Sequence, residues 1–275
     1  MILPPVTYPY IIIDGDICLD KAPLNSTPEG TVVYEVVRLI EGKPLFWDEH
    51  YHRLMESCSI AHLNFSLSST ALIAALKKLV TSNGASFINF KLEVFSVASQ
   101  LHYRMFFITS NYPDKLLYTT GVPLGFLNEE RIDPSAKIIN VSIRNKANRL
   151  IEQENFFEVL LVNAKGEITE GSRSNVFFIA GTRLLTPPLH EVLPGVTRFH
   201  VIQIAQQMGF SVDEVVIKAA DISSFDSAFI TGTSPMLMPV SSLNSHTFNI
   251  QHPVCKTLLD GYQQKVIENI NSFEY

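Results

Sequence analysis

Apolar positions alternate with polar ones from the first strand-like run onward. Tyr10 to Ile13 and Ile17 to Leu19 flank Asp14-Gly15-Asp16, a turn between β-rich runs, which predicts an opening hairpin. Thr31 to Ile40 and Pro44 to Phe46 make a second pair around Glu41-Gly42. The period then changes. Asp48 stands as an N-cap before EHYHRLMESCSIAHL, in which His50, Leu54, Ser57 and Cys58 recur at helical spacing. Leu67 to Leu79 reads as another helix, and the apolar, β-branched and aromatic runs Phe87 to Ala98 and His102 to Thr109 as paired strands. Strands, then helices, then strands suit an α+β layer domain.

Turn chemistry at Asn111-Tyr112-Pro113-Asp114 separates two differently organised halves. The expected division is a domain over 1–112, a linker over 113–119 and a second domain over 120–275. After the linker come Gly121 to Phe126, a loop with Arg131 and Pro134, a strand over Ile138 to Ile143 and a helix over Lys146 to Glu154. Strands and helices alternate from Val159 to Ile230, ending at Thr231-Gly232-Thr233-Ser234-Pro235, and a helix over Cys255 to Asn269 closes the chain. No internal repeat or low-complexity segment interrupts this pattern.

Composition narrows the function classes. With 275 residues, 46% of them hydrophobic, the chain can bury a large core. A net charge of −6 without Lys or Arg runs lacks the footprint of a nucleic-acid binder. Cys18, Cys58 and Cys255 lie far apart, which indicates reduced thiols rather than a disulfide framework or a zinc site. The proline-broken, acidic N-terminus does not read as a signal peptide, and no apolar stretch reaches membrane-spanning length. The expectation is a cytoplasmic, enzyme-like protein. His50 and His52 form an H-x-H pair, but residues two apart on a helix face different ways, so no metal site is expected.

Two turns inside Leu160 to Arg198 carry chemistry. Glu170 follows a strand and precedes Gly171, Ser172 and Ser174, which sets a carboxylate at a sheet edge. Pro194-Gly195-Val196-Thr197 then opens a helix with Ile202, Ala205 and Met208 on its apolar face and Gly209 as its stop. A helix starting there offers the N–H groups of Val196 and Thr197, a hydroxyl and a positive dipole end, which together make a phosphate seat.

Six segments in order extend this picture: YEVVR at 34–38, EHYHRL at 49–54, KANRL at 146–150, TEGSRSN at 169–175, LPGVTR at 193–198 and TGTSPMLMPV at 231–240. In this order they resemble the class IV (fold-type IV) pyridoxal-phosphate enzymes: branched-chain aminotransferases, D-amino-acid aminotransferases and 4-amino-4-deoxychorismate lyases. The resemblance covers nearly the whole chain. It implies an α+β fold of two domains, an N-terminal α/β two-layer domain and a C-terminal barrel-like α/β domain, with pyridoxal 5'-phosphate between them. It also implies a homodimer.

The resemblance implies roles for particular residues. A lysine holds the cofactor aldehyde as a Schiff base and shuttles the substrate's α-proton; Lys146, ahead of Asn148-Arg149, is the expected one. Lys137, followed by Asn140, is the rival. Glu170 keeps the pyridine nitrogen protonated, and Arg53 adds a guanidinium to the phosphate. Thr197 and Thr233 give hydroxyls, Val196 and Thr197 backbone N–H groups, and Tyr34 and Ser234 face the substrate. The implied reaction moves an amino group between an amino acid and a 2-oxo acid. A lyase forming 4-aminobenzoate and pyruvate is the alternative, and a non-catalytic binding protein on the same fold is the alternative of another class. Two departures affect the substrate pocket. KAPLNSTPEGTVVYE stands where many members have a glycine-rich stretch, and FINFKLEVFSVASQLHYRMFF lacks the glycine- and arginine-containing loop, leaving His102, Tyr103 and Arg104 in an apolar strand expected to serve core or dimer packing.

Overall fold

A computed structural model describes residues 8–19, 28, 30–110 and 112–275. Most of the KAPLNSTP stretch, the first seven residues and Asn111 lie outside the described residues. The chain divides into two compact units, Met1–Ser110 with Ala136–Ile139 and Glu268–Tyr275, and Asn111–Ser135 with Asn140–Ile267. The first unit therefore takes back two short segments that a division by sequence position assigns elsewhere.

The first unit holds β1 (Tyr10–Ile13), β2 (Asp16–Leu19), β3 (Val33–Ile40), β4 (Lys43–Pro44), α1 (Trp47–Ile60), α2 (Ser69–Asn83), β5 (Ile88–Val97) and β6 (Gln100–Ile108). The strands form one sheet in the order β2-β1-β6-β5-β3-β4, antiparallel throughout. Burial along β3 alternates strictly, as expected of a strand with one face in a core. Val33, Val37 and Leu39 join Phe90, Leu92, Val94, Tyr103, Met105 and Phe107 on that face, packed on Trp47, Leu54 and Cys58 of α1 and Leu72, Leu76 and Leu79 of α2. Helix α1 starts two residues before the expected cap. Phe46 is its N-cap, in left-handed backbone, and Asp48 lies in the first turn. Helix α2 has the better start and stop: Ser68 accepts from the Ala71 N–H, and Gly84 ends it at φ 61°.

The second unit contains α3 (Leu117–Thr120), β7 (Val122–Asn128), α4 (Val141–Glu154), β8 (Glu158–Val162), β9 (Glu167–Gly171), β10 (Asn175–Ala180), β11 (Arg183–Thr186), α5 (Val196–Gln207), β12 (Ser211–Glu214), β13 (Ile217–Lys218), β14 (Ser227–Gly232), β15 (Met236–Leu243), β16 (His246–Thr247) and α6 (Pro253–Ser272), whose last residues group with the first unit. Its sheet runs β12-β11-β10-β14-β15-β7-β8-β9-β13, with β16 paired to β15. Strands β9 and β10 are five places apart in this order. Laid flat they would be ~24 Å apart at the usual strand spacing. A three-residue turn joins them, closed by Gly171 N–H donating to Ser174 O at 2.7 Å, and four Cα steps reach at most ~15 Å. The sheet must curl, which gives the barrel-like shape, and Leu124, Leu160, Ile168, Val176, Ile230 and Met238 meet in its core.

Two expectations fail here. Residues 138–143 are not a strand. Ile138 makes a single antiparallel bridge to Val33, and α4 begins at Val141 because the Asn140 side chain accepts from the Ile143 N–H at 3.1 Å. A run of β-branched residues was outweighed by one cap. Helix α5 buries Thr197, His200, Val201, Ile204 and Ala205, whereas Ile202 is only half-buried and Met208 is exposed, so its apolar face is turned from the expected one.

Candidate active site

In the second unit three turns meet at one end of the curled sheet. Glu170, two residues beyond core Ile168 and so on the same face of β9, is almost fully buried. Its Oε2 accepts the Leu193 N–H at 3.1 Å, and its Oε1 lies 2.7 Å from Arg131 Nε. Arg131 also donates to Ser172 O at 3.0 Å. Sequence reading placed Arg131 only in a loop, since nothing local marks an arginine that folds back on a carboxylate. Asn175 donates to Leu193 O at 2.9 Å, so the segment leading into α5 is held from both sides by β9 and β10. The third turn, 232–235, joins it because Asn175 pairs with Thr231 and a Cβ on Gly232 would sit 3.5 Å from Arg173 O. Thr233 and Ser234 are half-buried there, and Tyr118 donates to Pro235 O at 3.0 Å. A second buried carboxylate, Glu158, fixes the 172–174 turn by accepting from the Ser172 and Ser174 hydroxyls and the Arg173 N–H.

Helix α5 begins at this place without a side-chain cap. Gly195 is the N-cap, and no side-chain oxygen takes a first-turn N–H there. A Cβ at Gly195 would fall 1.9 Å from Asn175 Oδ1. Thr197 is buried, with its hydroxyl 3.5 Å from the Tyr262 hydroxyl that donates to it. The open N–H groups of Val196 and Thr197, a positive dipole end and a buried hydroxyl suit a phosphate ester. Glu170, held in reach of the same turn, suits a protonated ring nitrogen. The residues present thus fit a pyridine ring carrying a phosphate.

In the first unit, Arg53 and Glu35 form a buried two-pronged pair, with Nε to Oε1 at 2.8 Å and Nη2 to Oε2 at 2.7 Å. His50 Nδ1 lies 2.8 Å from Oε2. Burial alone would raise the Glu35 carboxyl; the Arg53 charge and hydrogen bonds, with His50, outweigh it and hold it at about 2. Burial pushes the His50 imidazole below its ordinary value despite Glu35. Glu35 and His50 were not assigned roles from sequence, because inward placement of a glutamate on β3 becomes meaningful only once Arg53 faces it. His52, by contrast, is exposed.

The two candidate lysines have different surroundings. Lys137 lies in the short stretch that zips onto the edge of β3: Tyr34 N–H donates to Lys137 O at 3.0 Å, Ile139 N–H to Val32 O at 3.0 Å, and Lys137 N–H to the Ser57 hydroxyl at 3.0 Å. Its ammonium sits 4.7 Å from the Tyr34 ring centroid, and its charge reaches His50. Lys146 is in mid-α4, its side chain 51% exposed and ion-paired with Glu129. Among the described residues no group of three potential metal ligands occurs, and no helix is long and apolar enough to cross a membrane.

Residues 32–243 match the family model for amino-transferase class IV. The chain belongs to the class IV aminotransferases. A Thermotoga maritima protein carrying the provisional name of a branched-chain-amino-acid aminotransferase is 28% identical over 258 residues, 92% of both chains. A D-alanine aminotransferase of Bacillus licheniformis is 26% identical, over 86% of this chain and 88% of its own. Among solved structures, the branched-chain aminotransferase of Thermobaculum terrenum in its PLP form superposes with a TM-score of 0.82 at 20% identity, covering 96% of this chain and 95% of its own. A Legionella pneumophila protein carrying the provisional name of a 4-amino-4-deoxychorismate lyase gives 0.75 at 24%, over 85% and 91%. These two likenesses establish the class IV fold, an α+β architecture of two domains. The class IV family is one of enzymes, and this one is an aminotransferase-family member with two substrate lineages among its relatives.

Proposed function

We propose that this class IV protein is a pyridoxal-phosphate-dependent amino-acid aminotransferase that moves an amino group between an amino acid and a 2-oxo acid. The observation that carries the reading is the Glu170 to Leu193 hydrogen bond, which ties a buried carboxylate to the uncapped start of α5. Bound pyridoxal phosphate supplies a carbon that joins the substrate amine and a ring that accepts electrons from it. Glu170 then favours the protonated ring nitrogen, with Arg131 fixing the carboxylate's position. Val196 and Thr197 donate N–H groups to the phosphate, and the Thr197 and Thr233 hydroxyls add to them. Arg53 contributes a guanidinium whose orientation Glu35 sets. Tyr34 and Ser234 border the substrate.

For the lysine, the surroundings support Lys137 over Lys146. A lysine that removes and returns a proton at the substrate's Cα needs a shielded amine held by rigid backbone. Lys137 is held by three backbone hydrogen bonds beside Tyr34, and Lys146 is a half-exposed partner of Glu129. Borohydride reduction of the yellow protein followed by peptide mapping tests this; the adduct is expected on Lys137, and an adduct on Lys146 would restore the expectation drawn from KANRL. Two coupled assays complete the test. Formation of a 2-oxo acid from an amino donor is expected. Pyruvate and 4-aminobenzoate from 4-amino-4-deoxychorismate without transamination would establish the lyase instead, and a protein that takes up no cofactor would be a binding protein on this fold.

A further inference from the structure

Across the six-stranded sheet, on the face turned from α1 and α2, one row of side chains is charged from end to end. Tyr34 pairs with Glu93, and Glu93 with Arg104; Lys137 lies opposite Tyr34 at the sheet's edge. The opposite face at neighbouring positions is the core of Val33, Leu92, Val94, Tyr103 and Met105. Glu93 is buried, its side chain 2% exposed, and each of its oxygens holds a cation: Oε1 to Lys91 Nζ at 2.5 Å, Oε2 to Arg104 Nε at 2.6 Å. Arg104 also lies over Phe95 and Phe106, 5.7 and 5.2 Å from their ring centroids. Lys91 and Lys137 both sit over the Tyr34 ring, at 5.0 and 4.7 Å. Two cations fixed by one carboxylate leave a net positive pair. That pair stands across one tyrosine from the lysine that would act on the substrate's Cα.

A branched-chain or alanine substrate offers nothing for a second cationic site to hold, and burying cations for such a side chain only costs desolvation. We propose that Lys91 and Arg104, positioned by Glu93, bind the second carboxylate of a substrate that carries two. This rests on the aminotransferase reading and on Lys137 as its lysine. Acidic amino acids and 4-amino-4-deoxychorismate share that chemistry, and the two are distinguished by the products assayed.

The test compares holoenzyme and the variants Lys91→Met and Arg104→Met on glutamate and aspartate against leucine and alanine, each as L and D forms, and on 4-amino-4-deoxychorismate. Wild type is expected to favour the two-carboxylate substrates in kcat/KM. Each variant is expected to lower the ratio of two-carboxylate to one-carboxylate kcat/KM by about 10- to 100-fold, the scale of a lost charged hydrogen bond, mainly through KM. Lys91→Arg, which keeps the charge, is expected to retain most of the ratio. Calorimetric titration of glutarate against pentanoate gives a readout apart from turnover, with glutarate binding weakened in both Met variants. Wild type that favours leucine or alanine, or variants that leave the glutarate affinity and the ratio unchanged, would overturn the proposal. A protein that takes up no pyridoxal phosphate would overturn the aminotransferase reading, and the glutarate titration would still decide the carboxylate row.

Discussion

Glu35 lies on the core face of β3, where a carboxylate is tolerated because Arg53 and His50 face it. Its folded pKa of about 2 is below the ordinary 4.5, so the unfolded chain binds the proton first as pH falls. The stabilisation is fully present above 4.5 and is lost as pH drops towards 2, on the order of 3 kcal/mol in all. His50, also depressed, acts in the same direction, with loss beginning as pH falls through 6.5. Urea unfolding at a series of pH values should show Glu35→Gln least stable relative to wild type near neutrality, with the difference shrinking between 4.5 and 2. A constant difference across that range would mean that the charge of Glu35 contributes nothing. Arg53 and Glu170 separate cofactor binding from turnover. Arg53→Ala should weaken cofactor affinity by about one to two decades, and excess cofactor should restore much of the rate. Glu170→Gln keeps a group beside the ring nitrogen but no longer favours its proton, so turnover should fall severely without rescue. Cofactor titrations monitored by absorbance, run beside steady-state rates, distinguish the two.

At the scale of elements, the uncapped start of α5 depends on a glycine for reasons of space. Gly195 has ordinary helical-side backbone, but a Cβ there would overlap the Asn175 amide, which is itself held by Leu193 O. Gly195→Ala should therefore cost ~1–3 kcal/mol of stability and lower cofactor affinity together, because the turn that carries the Val196 and Thr197 N–H groups must move. Thermal denaturation with and without pyridoxal phosphate would show it as a lower Tm and a smaller cofactor-induced rise. Helix α4 shows how local chemistry decides an element's boundary. Asn140→Ala removes the acceptor for the Ile143 N–H and should cost ~1 kcal/mol, measurable in the same unfolding experiment. That cap ends the stretch holding Lys137 and places Lys146 one turn and more inside a helix, which is why the two lysines have such different surroundings.

For the whole molecule, the class IV relationship supports a homodimer, and sedimentation equilibrium is expected to give twice the chain mass; a fully active monomer would refute it. The strands, the two first-unit helices and the turn signals at Asp14-Gly15 and Gly171 to Asn175 were legible in the sequence, because period, caps and turn residues act over a few positions. So were the six ordered segments, and with them the family. The partnerships were not legible. That Glu170 holds the Leu193 N–H and meets Arg131, that Glu35 faces Arg53 and His50, and that Glu93 joins Lys91 to Arg104 depend on sheet register and on a curl imposed by one short turn. The sequence by itself determined which residues carry charge, where helices can start and which strands have a face to bury. Only the tertiary structure decided which of those charges are buried together, because that pairing is set by strands distant in sequence, whose neighbours no local pattern encodes.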